Sequence, residues 1–138
     1  MSNRELVKSQ LQFDNPCITE FNFHVNSNVT ETKQMTASYT VTQNRAQNAD
    51  ACLLQLKVNI GEDSSVSPFT IEAAIQSVFE WNASLTDDQL DKLLGENAVA
   101  LLISYLRPMI SHMTVDAGFP PLILPFFDIR QQGNNSSE

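Results

Sequence analysis

Cysteine is scarce in this sequence: Cys17 and Cys52 are the only two among 138 residues. They form no Cys-x-x-Cys pair, which excludes a zinc ribbon or a thioredoxin-type motif. Each sits in an apolar, strand-like stretch, the setting of a buried free thiol rather than a disulfide. Histidine is equally rare. His24 and His112 have no carboxylate or cysteine at ligand spacing, so no metal site is expected. Gly95 and Gly118 stand alone, so no glycine-rich loop cradles a phosphate. Ser111 and His112 are neighbours, and neighbouring residues on a helix do not face each other, so they are not a nucleophile and its base. No catalytic residue is nominated and no cofactor is expected. A small α+β pocket enzyme of the cystatin-like or hot-dog type, with a site assembled from distant residues, stays open as an alternative.

Basic residues are also few. Eight Lys and Arg face sixteen Asp and Glu, a formal net charge of -8. That charge repels nucleic-acid phosphates and anionic membrane surfaces, so no nucleic-acid partner is expected. It suits a basic partner or basic client segments, and it also keeps a protein soluble. Long apolar runs are missing. The longest, Ala98 to Leu106, is interrupted by Ser104 and is far short of the ~20 residues that span a bilayer. The first residues, MSNRELVKSQLQFD, have no apolar centre and no small-residue cleavage site. A cytoplasmic protein without membrane insertion is the expectation.

What is present is an ordinary globular balance, 42% apolar and 17% charged, which argues against a disordered chain. A chain of this length buries roughly 68% of its unfolded surface, enough for a core without staples. One domain over residues 1–138 is expected, with residues 130–138 a frayed polar tail.

The first two-thirds of the chain has the period of strands. Residues 9–26 read as a long or broken first strand, with Leu11 and Phe13 alternating before Asn15-Pro16 interrupts. Phe21, Phe23 and Val25 then alternate with Asn22 and His24. The second strand is the clearest: Met35, Ala37, Tyr39 and Val41 point one way, and Thr36, Ser38, Thr40 and Thr42 the other. In the third, Cys52, Leu54, Leu56, Val58 and Ile60 face inward. Gly61 opens a turn, and a fourth strand aligns Phe69, Ile71, Ala73, Ile75, Phe79 and Trp81. Trp81 and the phenylalanines at this spacing read as core rather than as a cofactor box.

The period then changes. Thr86 and Gln89 have capping-box spacing, and Asp87 and Asp88 suit the positive end of a helix. Leu90, Leu93 and Leu94 follow, and Gly95 is expected to end this short helix. A longer helix is expected from about Asn97 to Ala117, with Val99, Leu102, Leu106, Ile110 and Met113 on one face. Pro108 removes a hydrogen bond inside it and should kink it. Gly118 stops it, with Pro120 and Pro121 beyond. The whole is an α+β fold: a four-stranded antiparallel sheet with a long, kinked helix and a short helix on one face.

Two features exceed the needs of a monomer. A second apolar stripe on the long helix, Leu101, Tyr105, Met109 and His112, lacks an obvious cover. The segment PPLILPFFDI, residues 120–129, is apolar, and its three prolines favour extended chain. It either folds onto the core or lines a groove for another polypeptide.

The stretch LLISYLRPMISHMTVDAGFPPLILPFF, residues 101–127, resembles the signature region of the SecB export-chaperone family. Tyr105 and Arg107 match that family's Tyr-x-Arg step. Ile110, Ser111 and Met113 follow in register. Gly118, Phe119 and Pro120 match the helix end and the Phe-Pro step, and Leu122, Leu124 and Pro125 match the run after it. The strands, over residues 9–129 as a whole, agree in pattern and order. Two departures stand out. The family's helix proline precedes the Tyr, whereas Pro108 follows it. The export chaperone also continues into a second helix and an acidic tail that docks the SecA motor, whereas here a short polar run ends in Glu138.

The resemblance implies an ATP-independent chaperone that binds unfolded, export-competent polypeptides in apolar grooves. It assigns Phe119, Leu122, Ile123, Leu124, Phe126 and Phe127 to the groove or the core beneath it. It implies a homo-oligomer, a dimer or a dimer of dimers reaching a homotetramer. The first strand and the long helix supply the contacts, and the stripe Leu101, Tyr105, Met109 and His112 fits that role. Acids on the outer sheet face, Glu20 and Glu72, are candidates for contact with the SecA motor in protein translocation. Two alternatives remain: a chaperone dedicated to one partner, such as an antitoxin, and a structural module that only self-assembles.

Overall fold

The computed structural model describes residues 11–26, 35–47, 50–62, 67–82 and 84–124. Among the described residues five strands are seen: β1 (Leu11–Phe13), β2 (Cys17–Val25), β3 (Ala37–Arg45), β4 (Ala51–Ile60) and β5 (Phe69–Trp81). All pairings are antiparallel, in the order β1-β5-β4-β3, and β2 also pairs with β5. The expected count of four becomes five because the first strand is written in two pieces. β1 lies along the end of β5 (Leu11 opposite Trp81), and β2 along its beginning (Val25 opposite Phe69). Pro16 cannot donate to the ladder, so the edge breaks there. The Ser77 hydroxyl donates to the Asp14 carbonyl (2.7 Å), and the Asp14 N–H to the Val78 carbonyl (3.1 Å), holding the break in place.

Register decides which face each residue takes. Cys52, Leu54, Leu56, Val58 and Ile60 of β4 are buried on the inner face. They lie opposite Phe79, Ser77, Ile75, Ala73 and Ile71 of β5. On β3, Tyr39 and Val41 are buried beside them. The outer face carries Thr40, Gln55, Lys57, Glu72 and Gln76, as strict alternation requires. Cys52 is the buried thiol expected, and desolvation pushes its pKa up against the opposing pull of an Asn44 backbone hydrogen bond and the Arg45 charge. Cys17 is not: it pairs with Gln76 on the outer face of an edge strand and is exposed.

The helices start and stop where expected but do not divide where expected. At the start, the Gln89 N–H donates to Thr86 Oγ1 (3.1 Å) and the Thr86 N–H to Gln89 Oε1 (3.0 Å), a complete capping box. At the end, the Phe119 N–H donates to the Thr114 carbonyl and the Gly118 N–H to the Val115 carbonyl. That is a Schellman turn, and Gly118 takes the φ of 96° that it requires. Between these ends the rod is continuous. α1 (Asp87–Lys92) and α2 (Val99–Asp116) are joined by a π-helical turn, Leu93–Ala98, with Gly95 inside it.

The physical reason is the spacing of the buried positions. Leu90, Leu94, Ala98, Leu102, Leu106, Ile110 and Thr114 recur every fourth residue. On an α-helix of 3.6 residues per turn such a row drifts around the axis. The wider π-helical turn takes up part of that drift. The 30-residue rod is long and apolar enough to cross a bilayer by length and composition alone, but here its apolar row is spent on β4 and β5. Pro108 is exposed within α2, which continues through it to Asp116.

Candidate polypeptide-binding cleft

The Schellman turn sends the chain back along α2. Residues 119–124 form an extended strap whose backbone is held by two helix side chains. The Leu122 N–H donates to Thr114 Oγ1 (2.9 Å), and Arg107 Nε donates to the Leu124 carbonyl (2.9 Å). Because 122 meets 114 and 124 meets 107, the strap runs antiparallel to the helix. Extended geometry alternates its side chains. Leu124 is buried in the core at 1% exposure, Ile123 faces out at 65%, and Leu122 is half-buried.

Phe119 anchors the beginning of the strap. Its ring meets Phe69 edge-on at 4.8 Å and lies 6.3 Å from Phe23, which itself stacks on Phe69 at 5.1 Å. Beside this cluster lies an apolar cleft of about 230 Å3, lined by Met35, Phe69, Phe119, Pro120, Pro121 and Leu122. Gly61 lies against it. A Cβ there would sit 2.4 Å from the Phe69 carbonyl oxygen and 2.9 Å from Met35 Cε, and its φ of 70° suits glycine. The lining has no converging polar groups, so the cleft suits an apolar side chain rather than acid–base chemistry. Among the described residues no three His, Cys, Asp or Glu side chains gather as a metal site would need.

Of the six residues assigned to groove or core, Phe119 and Leu122 line the cleft, Leu124 is core, and Ile123 is exposed on the strap. Phe126 and Phe127 lie outside the described residues, as do residues 130–138. Sequence reasoning missed the opposite wall. Met35 and Phe69 read there only as inward strand positions. Their meeting depends on the β3–β4–β5 register, for which Gly61 at the intervening turn is the available signal.

The second helix stripe lies elsewhere on α2. Leu101 and Met109 are half-buried, and Tyr105 and His112 are exposed. The edge strand also leaves apolar surface bare: Phe13, Ile18 and Val25 are 42%, 36% and 46% exposed. All three face the inner side, opposite Phe79, Ile75 and Phe69. On the outer face, Glu20 and Glu72 are half-buried. Glu20 lies 3.7 Å from Lys57 Nζ and accepts from Asn22 Nδ2 at 2.9 Å, while Glu72 stands opposite Asn22 and Asn59.

Comparisons with known proteins bear on the family and the fold. Residues 9–132 match the family model SecB, preprotein translocase subunit SecB. An uncharacterized protein of Methanocaldococcus jannaschii is 32% identical over 88 residues, 60% of this chain and 54% of that protein, so the match spans about half of the relative's length. Among solved structures, the SecB-like chaperone of Mycobacterium tuberculosis, in complex with a ChAD peptide from the HigA1 antitoxin, superposes with a TM-score of 0.67 at 13% identity. The match covers 86% of this chain and 88% of that one. A Streptococcus agalactiae protein of unknown function superposes with a TM-score of 0.52 at 15% identity, over 87% and 100% of the two chains.

Proposed function

This chain belongs to the SecB family, whose members are chaperones rather than enzymes, and we propose that it holds unfolded or export-competent polypeptides without using ATP. The observation that carries this reading is the apolar cleft between Met35, Phe69 and the strap. Burying one large apolar client side chain there is worth about 1.5–3 kcal/mol. Binding of a long segment then adds contacts beyond the cleft. Among the described residues β3, which follows Met35, stands last in the strand order and carries no charge from Ala37 to Asn44. The net charge of -8 favours clients with basic segments.

Assembly as a dimer or dimer of dimers belongs to the same proposal. A second copy would cover the bare edge row of Phe13, Ile18 and Val25 together with Leu101, Tyr105, Met109 and His112. Glu20 and Glu72 are offered as the outer-face contact for the SecA motor, in a cytoplasmic setting. A narrower client range is the second reading. The Mycobacterium tuberculosis relative is held with an antitoxin peptide, and a single dedicated partner fits the same cleft.

The test is solution mass with and without a reduced, unfolded client, followed by Leu122→Asp. A stable complex that the substitution abolishes, with the circular dichroism of the fold unchanged, is the expected result. Equal binding by the variant removes the cleft from the mechanism. Suppression of aggregation across unrelated unfolded proteins separates a general chaperone from a dedicated one.

A further inference from the structure

We propose that Thr114 and Arg107 are positioning residues for the client: they fix the strap wall of the cleft and so set how long a client stays bound. The inference rests on the proposed function of the cleft. One wall is formed by Met35 and Phe69, the latter within β5 and buried. The other, Pro120 to Leu122, belongs to no sheet. Among the described residues no strand pairs with it. Pro120 and Pro121 have no N–H to donate, so beyond the Phe119 anchor the backbone of the wall is held through the groups that follow them.

The Leu122 N–H ends on the Thr114 hydroxyl, which itself donates to the Ser111 carbonyl at 2.8 Å. Thr114 is fully buried, so its hydroxyl spends its proton within the helix and offers a lone pair to the strap. Without that acceptor the Leu122 N–H would lose its partner beneath a half-buried chain, a costly state for a backbone donor. Arg107 Nε holds the Leu124 carbonyl two residues on. The same helix that presents its apolar row to the sheet thus pins the strap at two points on its flank.

The experiment compares Thr114→Val, Thr114→Ser and Arg107→Lys with the unaltered protein. Valine keeps the buried volume and loses the acceptor. Serine keeps the acceptor and loses a methyl group. Two readouts are taken: amide hydrogen exchange at Leu122 to Leu124 against β4, and the dissociation rate of reduced, carboxymethylated α-lactalbumin. Thr114→Val should speed both strap exchange and client release by roughly 2- to 12-fold, the factor that one hydrogen bond's net worth corresponds to, with β4 unchanged. Arg107→Lys, which retains the charge but not the planar Nε donor, should move both in the same direction. Thr114→Ser should leave both near the unaltered values.

A purely structural role predicts the opposite ranking, serine worse than valine, and that ranking overturns the proposal. So does a strap that loosens in Thr114→Val while client release stays constant, which leaves the chaperone reading standing. An unaltered protein that fails to bind the client defeats the proposed function, and this inference with it.

Discussion

The two flanks of α2 are finished differently. On one, the chain returns as a strap, and Leu124 closes the core beneath it at 1% exposure. On the other, Leu101, Tyr105, Met109 and His112 receive no such cover among the described residues, and Tyr105 is 44% exposed. Both flanks are apolar in sequence, so composition does not distinguish them. The difference lies in what the backbone can reach. Gly118 reverses the chain, and Thr114 and Arg107 supply the hydrogen bonds that an extended segment needs on a helix surface. An apolar surface that the chain can cover becomes core and a cleft wall.

The sharpest way to break this contrast is at Leu124. Leu124→Ala removes a fully buried side chain and should cost about 2–5 kcal/mol, read by urea denaturation. The strap should loosen with it. Ile123→Ala, one residue away and 65% exposed, should stay within about 0.5 kcal/mol, as surface positions do. Equal costs at the two positions would mean that the strap does not alternate as described.

The opposite flank is tested by Met109→Asp. In a free monomer this half-buried position tolerates a charge far better than the core does. In an oligomer that buries the stripe, the unpaired carboxylate would have to be desolvated at a cost of several kcal/mol. The expected outcome is a fall in solution mass with the strand and helix content retained. An unchanged mass, with the protein still folded, removes the stripe from the assembly surface.

Much of this contrast was legible before any coordinates. The broken edge was visible at Pro16 because proline cannot donate to a ladder. The helix start was visible in the Thr86–Gln89 pair and the helix stop in Gly118. The extended character of the strap followed from its prolines. Other parts needed three dimensions. Gly95 reads locally as a stop, yet Leu90, Leu94, Ala98 and Leu102 are all buried and the rod runs on through it with one wide turn. Local chemistry and tertiary burial disagreed there, and burial won. Cys17 sits among apolar neighbours in sequence, but its register beside Gln76 turns it outward. The alternation of Leu122, Ile123 and Leu124 was open until the anchors on α2 fixed which of them points inward. The cleft's other wall, Met35 with Phe69, depends on pairings between strands that share no local signal.

The smallest expected effect lies away from both flanks. Arg45, at the end of β3, meets Asp91 of α1 at 2.8 Å, and the two side chains are 42% and 66% exposed. Such a pair gains little, because water screens it and two long side chains must be ordered to make it. Asp91→Asn should therefore cost no more than about 1 kcal/mol at low salt, and the difference should shrink as salt is raised. The variant keeps the capping box of α1, its buried Leu90 and the buried Leu94 of the π-helical turn, so the rod should stay docked. Urea denaturation at low and high ionic strength measures both points. A larger, salt-insensitive loss would mean that the docking of α1 depends on this ion pair. The continuous apolar row would then not be sufficient to hold the rod, and the explanation given for the π-helical turn would fail with it.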